Sequence, residues 1–318
     1  MRNYLFYMVT FIIMALLASC NESEFPEMEN TDSDCVEKVS ISAVIPVTAG
    51  ETRAVVTIPS SHKLRCVLEV WNKEEIPELV LRQEVVSDVN TALPVFEFSL
   101  AVGDYDCLLW ADFVKNEADM TIEKNGNVTY EHYEDEYYST DNLHRVTYVM
   151  GENAPVPFDT DLCDAFFACM TLQKRYTEFA KVLDLKRATA RFFVEEKDAT
   201  QFVSLKTLRV SYDVPAGFNV ATGETSEEKM EMVYEKTFAG STSSGEEISS
   251  RLFGCYLLAP SSGLTLGNIT LTFSTTEQEQ LVTAIKDGSI TLNSGESKTV
   301  AGNIMVTGKN PDEKPDRG

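Results

Sequence analysis

The stretch "VSISAVIPV" at residues 39–47 decides the fold class. Its apolar residues stand at every second position from Val39 to Val47, and mainly small or polar residues lie between them. This two-residue period is typical of a β-strand that buries one face. Short runs of the same kind recur along the chain, and Gly, Pro, Asn and Ser separate them. The pattern therefore predicts an all-β protein built from β-sandwiches.

The further strand-like runs extend almost to the C-terminus. They are RAVVTI (53–58), KLRCVLEVW (63–71), PVFEFSLAV (94–102), YDCLLWADF (105–113), HRVTYVM (144–150), RATARFFVE (187–195), LKTLRVSYDV (205–214), GCYLLAP (254–260), NITLTFS (268–274), SITLN (289–293) and KTVAGNIMVT (298–307). Residues 163–173 and 177–185 also fit strands that complete a first domain. Residues 276–288 fit either a helix or a loop leading into a strand, because periodicity does not separate the two.

Composition excludes several classes of function. The 318 residues include 27 Lys and Arg against 50 Asp and Glu, which gives a formal net charge of -23. This charge repels phosphate backbones, so we expect no nucleic-acid partner. The sequence has no G-x-S-x-G, no Gly-rich phosphate loop and no H-E-x-x-H, and its three histidines are scattered. We therefore predict that the protein is not an enzyme, with no catalytic residue, no cofactor and no metal site.

The N-terminus predicts export and a lipid anchor. The apolar stretch from Tyr4 to Leu17 has the length of a signal-peptide core and is too short to cross a bilayer. It ends in Leu-Ala-Ser-Cys, which resembles a bacterial lipobox, so we expect cleavage between Ser19 and Cys20 and acylation of Cys20. Residues 21–37 contain seven acidic residues and no basic one, which predicts an extended tether. The expected partner of Cys20 is outer-membrane lipid.

Six cysteines remain after Cys20, an even number in an exported chain. They are Cys35, Cys66, Cys107, Cys163, Cys169 and Cys255. Six cysteines allow 15 pairings, and no spacing here selects one. The alternation around Cys66 and Cys107 favours inward-facing strand residues, so free buried thiols are the preferred interpretation over disulfides.

The acidic, tyrosine-rich stretch at residues 129–141 fits three interpretations. It could stack glycans or bind calcium, although it lacks the spacing of an EF-hand loop. The preferred interpretation is a solvated loop beside an edge strand. For Trp110, whose neighbours Leu108 and Leu109 are apolar, we predict a core position.

Five segments follow from these patterns. They are a lipoprotein signal peptide (1–19), a lipidated acidic tether (20–37), an N-terminal β-sandwich domain (38–185), a C-terminal β-sandwich domain (186–307) and a disordered charged tail (308–318).

Several ordered blocks behind the lipobox resemble the fimbrillin-like surface lipoproteins of Bacteroides-type bacteria. The blocks are YDCLLWADFV (105–114), DEYYSTDNLHRVTYV (135–149), DAFFACMTL (164–172), LDLKRATARFFV (183–194) and GESKTVAGNIMVT (295–307). The resemblance implies two tandem transthyretin-like Greek-key β-sandwich domains. It also implies a surface-exposed, lipid-anchored subunit of a fimbrium, either structural, anchor or tip, or an adhesin for host or bacterial surface ligands.

The resemblance further implies assembly with other fimbrial subunits by strand exchange. In such relatives, cleavage after an arginine past the first strand removes that strand, and Arg53 in "GETRAVV" is the candidate here. The alternatives are that Arg53 is an ordinary exposed turn residue, or that the protein is an anchor subunit that is not cut. Residues 299–307 are the candidate C-terminal donor strand, or they complete the second sandwich. The alternative function is a monomeric surface lipoprotein that binds glycans for polysaccharide capture.

Overall fold

The structure, a computed structural model, describes residues 37–45, 59–87, 94–117, 120–124, 128–150, 160–198, 205–238, 251–275, 281–285 and 290–305. Within these residues the secondary structure consists of β-strands and one short 3-10 helix, Asp161–Cys163. The all-β prediction is therefore confirmed.

The N-terminal half, residues 37–187, carries twelve strands. They are β1 Glu37–Val44, β2 His62–Asn72, β3 Leu79–Ser87, β4 Val95–Leu100, β5 Gly103–Lys115, β6 Met120–Lys124, β7 Val128–His132, β8 Tyr138–Ser139, β9 Thr147–Tyr148, β10 Phe166–Lys174, β11 Phe179–Asp184 and β12 Lys186–Arg187.

The C-terminal half, residues 189–305, carries eleven strands. They are β13 Thr189–Glu196, β14 Leu205–Pro215, β15 Phe218–Asn219, β16 Glu224–Thr225, β17 Lys229–Thr237, β18 Arg251–Leu258, β19 Leu264–Thr265, β20 Ile269–Thr275, β21 Leu281–Ile285, β22 Thr291–Leu292 and β23 Ser297–Gly302.

Two main sheets form in each half, and the two halves share one topology. In the N-terminal half the sheets have the orders β11-β1-β4 and β12-β10-β5-β2-β3. In the C-terminal half they have the orders β18-β13-β23 and β17-β14-β20-β21. In the N-terminal half the first strand, β1, pairs antiparallel with β4 and parallel with β11. In the C-terminal half the first strand, β13, pairs in the same way with β18 and β23. The division of the chain into two independent domains stays a prediction.

Most strand predictions match the observed elements, but several differ. The first strand ends at Val44 rather than at Val47, and HRVTYVM contributes only the two residues of β9. Residues 281–285 form the strand β21, within the segment for which a helix, or a loop leading into a strand, was predicted. The pattern analysis missed the longer strands β3, β6, β7 and β17. The run RAVVTI lies outside the described residues.

The five-stranded sheet of the N-terminal half is buried on both faces. Cys66, Leu68 and Val70 of β2 belong to the core on one face. On the other face, Trp110 is fully buried and its ring contacts those of Tyr138, at 5.6 Å, and Phe218, at 6.1 Å. Since Phe218 comes from the C-terminal half, this second face also forms the junction between the halves. The predicted core position of Trp110 is confirmed.

Backbone hydrogen bonds join the halves at this junction. Val146 and Phe218 exchange two of them, each of 2.8 Å, and the amide of Val220 donates to the carbonyl of Leu143 at 2.9 Å. Gly217 is required here, because a Cβ at this position would lie 2.9 Å from the carbonyl oxygen of Val146. The close approach of two backbones explains the glycine.

Candidate functional site

The strand β1 occupies a slot between two other strands of its sheet. It pairs antiparallel with β4, from Glu37 opposite Leu100 to Ser42 opposite Val95. It pairs in parallel with β11, from Val39 opposite Phe179 to Val44 opposite Asp184. Removal of β1 would therefore expose one row of backbone donors and acceptors on each side, and a buried row of this kind must find new partners.

The same strand fills the apolar groove between the two sheets. Val39, Ile41 and Ala43 are 1%, 0% and 0% exposed, as the alternating pattern predicted. Ile45 is partly buried against the same core. Loss of a buried Ile side chain alone costs about 2–5 kcal/mol, so an empty slot would be strongly unstable without a replacement strand.

A buried lysine lies where the chain enters the slot. Lys174, at the end of β10, is 1% exposed, and its Nζ donates to the carbonyl oxygens of Arg175, at 2.8 Å, and Thr177. The Oε2 of Glu37 lies 4.0 Å from this Nζ. The first residue of β1 is thus held beside a buried positive charge.

The exit from the slot leads out of the described residues. The amide of Leu185 donates to the carbonyl oxygen of Val44 at 2.8 Å. The amide of Ala43 donates to the carbonyl oxygen of Pro94 at 3.1 Å. After Ile45 the described chain resumes at Pro59. The predicted cleavage residue Arg53 lies in between, outside the described residues, and so do Ser19 and Cys20 at the N-terminus.

The C-terminal strand is docked in its own half. β23 pairs in parallel with β13, and the next residues, Ile304 and Met305, are 0% and 3% exposed. The hydroxyl of Thr283 donates to the carbonyl of Ile304, and the amide of Met305 donates to Oε2 of Glu196, each at 2.8 Å. β23 holds the position that β11 holds in the N-terminal half. Residues 299–305 therefore complete the second sandwich.

The acidic, tyrosine-rich stretch covers the sheet instead of extending into solvent. Tyr133, Tyr137 and Tyr138 are 4%, 4% and 0% exposed, so the solvated-loop interpretation is wrong for these residues. Neither do these three tyrosines form a stacking platform for glycans. Within the part of the chain that the structure describes, no group of three potential metal ligands exists, so calcium binding gains no support.

A buried ion-pair network fixes this cover. Arg65 of β2 is 1% exposed and donates to both carboxylate oxygens of Asp112, at 2.9 and 2.8 Å, and its NH1 lies 2.7 Å from Asp135 of the cover. Burial acts to lower the pKa of Arg65, but the carboxylates of Asp112 and Asp135 outweigh it and raise that pKa. Burial raises the pKa of Asp112, and the charge of Arg65 opposes this shift.

A second carboxylate, that of Glu69, is fully buried below the cover. Its Oε1 accepts from Arg82 at 2.5 Å, and its Oε2 accepts from Trp71 Nε1 at 3.0 Å and from the amide of Leu143 at 3.1 Å. A buried charge persists only when such partners satisfy it. The carboxylates of this face thus have structural partners. Arg65 and Glu69 share a face of β2 with the apolar Val67 and Trp71, and these two apolar residues were the available sequence signal that this face is covered.

The described cysteines form no disulfide with one another. Cys66, Cys107, Cys163 and Cys255 are buried and Cys169 is exposed, whereas Cys35 lies outside the described residues. Burial raises the pKa of Cys66, and it raises the pKa of Cys107 to about 12. The preferred interpretation of buried thiols rather than disulfides agrees with the structure for Cys66, Cys107, Cys163 and Cys255, whereas Cys169 is exposed.

Comparison with known proteins identifies the family. Residues 31–316 match the model of the family of unknown function DUF6562. The chain belongs to this family. Among curated proteins no sequence match was found. A search for membrane spans in the described part of this DUF6562 protein finds no helix long and apolar enough to cross a bilayer.

Several solved structures are similar to the chain. The fimbrial anchor protein Mfa2 from Porphyromonas gingivalis is 12% identical, with a TM-score of 0.44 over 78% of this chain and 82% of that one. The tip fimbrial protein Mfa3 from the same organism, with C-terminal truncation, is 12% identical, with a TM-score of 0.40 over 79% and 81%. A fimbrial assembly protein from Parabacteroides distasonis is 13% identical, with a TM-score of 0.39 over 87% and 93%. The predicted resemblance to fimbrial proteins is thus confirmed as a resemblance.

Proposed function

We propose that this protein is a non-enzymatic surface subunit of a fimbrium that is exported as a lipid-anchored precursor and, after release of β1, assembles by β-strand complementation in the slot of β1. The observation that carries the proposal is the position of β1 in the middle of its sheet. A strand that leaves this position frees two backbone edges and an apolar groove at once, and a strand from another subunit could occupy both.

The connections of β1 support its release. On its C-terminal side the next described strand, β2, begins 17 residues after Ile45, and the interval contains Arg53. On its N-terminal side the sequence predicts only the acidic tether and the acylated Cys20. Cleavage after Arg53 would therefore separate the anchor and β1 from the rest of the chain in one step.

The docked C-terminus favours an anchor or tip position over a stalk position. A stalk subunit donates a strand, and residues 299–307 were the candidate. Because β23 is the topological counterpart of β11 and its sheet buries Ile304 and Met305, these residues serve their own sandwich.

The test compares the protein from cells with an Arg53→Ala variant, using N-terminal sequencing and gels that preserve large assemblies. We expect a new N-terminus at Ala54 and a ladder of assemblies for the parent protein, and neither for the variant. Arg175→Ala is the matched control, because Arg175 has an exposed side chain and lies outside the slot connection. A parent protein that carries only the lipidated Cys20 as its N-terminus would refute maturation at Arg53.

The alternative of a monomeric glycan-binding lipoprotein is tested on the same protein. Retention on a polysaccharide affinity gel, together with the absence of any assembly ladder, would favour it over the fimbrial proposal.

A further inference from the structure

The five-stranded sheet ends in a long strand with one free edge. β3 has nine residues and pairs only with β2 among the described residues. Leu79 and Val80 near its start are 44% and 47% exposed. A free edge of this length offers a row of backbone groups to another strand, and natural proteins usually protect such edges. The edge is independent of the slot of β1, which lies in the other sheet.

The sequence of β3 is self-complementary about its central residue. We consider two copies of "LVLRQEVVS" that pair antiparallel with Gln83 opposite Gln83. Each residue then lies opposite the residue of the other copy that is equally far from Gln83 on its other side. Arg82 then lies opposite Glu84 of the other copy, and this pair occurs twice because of the two-fold symmetry. Leu81 lies opposite Val85 in the same way. Opposite charges and matched apolar residues are the cross-strand pairs that stabilise sheets.

Within one chain the carboxylate of Glu84 is incompletely satisfied, whereas Arg82 donates to Glu69 and Thr140. Glu84 has a 14% exposed side chain, and its Oε1 lies 3.5 Å from Arg82. Its Oε2 is buried and has no hydrogen-bond partner among the described residues. A buried carboxylate oxygen without a donor is costly, so Glu84 would gain a donor from another chain once its side chain turns toward the edge.

The counterpart edge in the C-terminal half lacks this property. β17, "KMEMVYEKT", holds the same topological position as β3. Antiparallel pairing of two copies about its central Val233 would place Glu231 opposite Glu235 twice. Like charges directly opposite each other destabilise a sheet. Self-complementarity is therefore a property of β3 rather than of the shared topology.

We propose that β3 is a homodimerisation edge, at which two copies pair antiparallel about Gln83 and join their five-stranded sheets. The β-bulge between Val70 and Trp71 disturbs the register near Val80, so the pairing is centred on residues 81–85. The net charge of -23 opposes association, but β3 itself carries one positive and one negative charge. Screening at physiological salt limits the long-range repulsion.

The first test measures the mass of the full chain by sedimentation equilibrium at about 0.15 M salt, where charges more than about 8 Å apart are screened. We expect a dimer for the parent chain and a monomer for V80K/V86K, which puts four lysines at the paired edges. The matched control V182K/V282K changes two exposed valines elsewhere and should leave the dimer intact. A monomeric parent chain, or equal masses for both double variants, would overturn the proposal. Circular dichroism shows that each variant is folded.

The second test reads the register by disulfide formation in a C169S background. Q83C places two thiols opposite each other on the two-fold axis, so oxidation should give a covalent dimer in high yield. V80C places its thiols several residues apart and should give no more dimer than the C169S parent. A covalent dimer of V80C with none of Q83C would exclude this register. A lack of covalent dimer in both variants, from a chain that sediments as a dimer, would place the interface elsewhere.

Discussion

The two halves of the molecule share a topology and differ in how their first strand is attached. β13 follows β12 after a single residue, Ala188, so it cannot leave its sheet without moving the rest of the chain. β1 is separated from β2 by residues 45–61, which include Arg53. Under the proposed function, the same central position is a fixed part of one sandwich and a removable part of the other. Topology alone does not make an assembly slot, because the connection of the strand must permit its release.

The halves also differ in their larger sheets, which contain β2 in the N-terminal half and β14 in the C-terminal half. The difference concerns the face of each sheet that points away from the groove between the two sheets. In the N-terminal half the stretch from Tyr133 to Tyr148 and Phe218 cover this face, and charged groups are buried under the cover. In the C-terminal half the equivalent face carries exposed pairs such as Arg209 with Glu235. Equivalent arginines therefore have very different weights in stability.

The largest expected effect is the loss of unfolding free energy when the buried Arg65 is replaced. Arg65→Leu leaves Asp112 and Asp135 without their cation, and removal of one partner of a buried ion pair costs about 3–5 kcal/mol. Arg209→Leu, on the equivalent strand β14, removes an exposed pair worth at most about 1 kcal/mol. Urea unfolding followed by circular dichroism measures both values. Equal losses for the two variants would show that the cover does not bury the Arg65 network in solution.

The next effect concerns the junction. Phe218→Ala removes a ring that packs at 4.8 Å from Phe167 and at 6.1 Å from Trp110, and such truncations cost about 3–5 kcal/mol. Because the ring connects the halves, we expect calorimetry to show one unfolding transition for the parent chain and two for the variant. Phe238→Ala, which truncates a partly buried ring at the end of β17, is the control. A single transition in Phe218→Ala would mean that other contacts are sufficient for coupling.

A smaller effect depends on pH. Burial raises the pKa of Cys107 to about 12, and it raises the pKa values of Tyr148 and Tyr212 above the ordinary tyrosine value of 10.0. Above about pH 9 the unfolded chain loses these protons first, so it binds fewer protons than the folded chain and stability falls as pH rises. Each such group contributes about 1.4 kcal/mol per pH unit.

Unfolding free energies at a series of pH values between 9 and 11 measure this slope. Tyr212→Phe should reduce the slope above pH 10, whereas Tyr176→Phe, at a 56% exposed position, should leave it unchanged. An equal pH slope for the parent chain and for Tyr212→Phe would show that the Tyr212 hydroxyl is solvated in the folded protein.

The sequence predicted the elements that obey simple alternation and missed those that do not. The apolar positions of β1 were correct because one face is buried and the other is open. β3 has Arg, Gln and Glu in a row at its centre, and β17 carries Lys and Glu at several positions, so the apolar signal of these two edge strands is weak. The shared topology of the halves has no counterpart in a repeated sequence pattern, since many apolar residues satisfy the same burial.

The candidate site was predictable only in part. Cys20 follows from a local motif and Arg53 from the resemblance to the fimbrillin-like proteins, and both stay predictions. The burial of Tyr133, Tyr137 and Tyr138 was not predictable, because an acidic and aromatic segment becomes a cover only when buried partners such as Arg65 lie below it. Those partners are more than 60 residues away in sequence, and local composition does not contain that information.

The smallest expected effect is a change in the reactivity of a thiol at the junction. Cys169 of the N-terminal half is exposed, and its thiol donates to the carbonyl of Ala221 in the C-terminal half at 3.3 Å. Its partial burial raises its pKa, so its reaction with iodoacetamide should be slower than that of a free thiol at the same pH. Loosening of the junction by Phe218→Ala should increase the rate, because Ala221 lies only three residues away. The buried thiols of Cys66 and Cys107 serve as internal controls and should stay unlabelled in both proteins, as read by peptide mass spectrometry. Faster labelling of Cys66 together with Cys169 would indicate general unfolding, and an unchanged rate at Cys169 would show that the contact with Ala221 does not depend on the Phe218 ring.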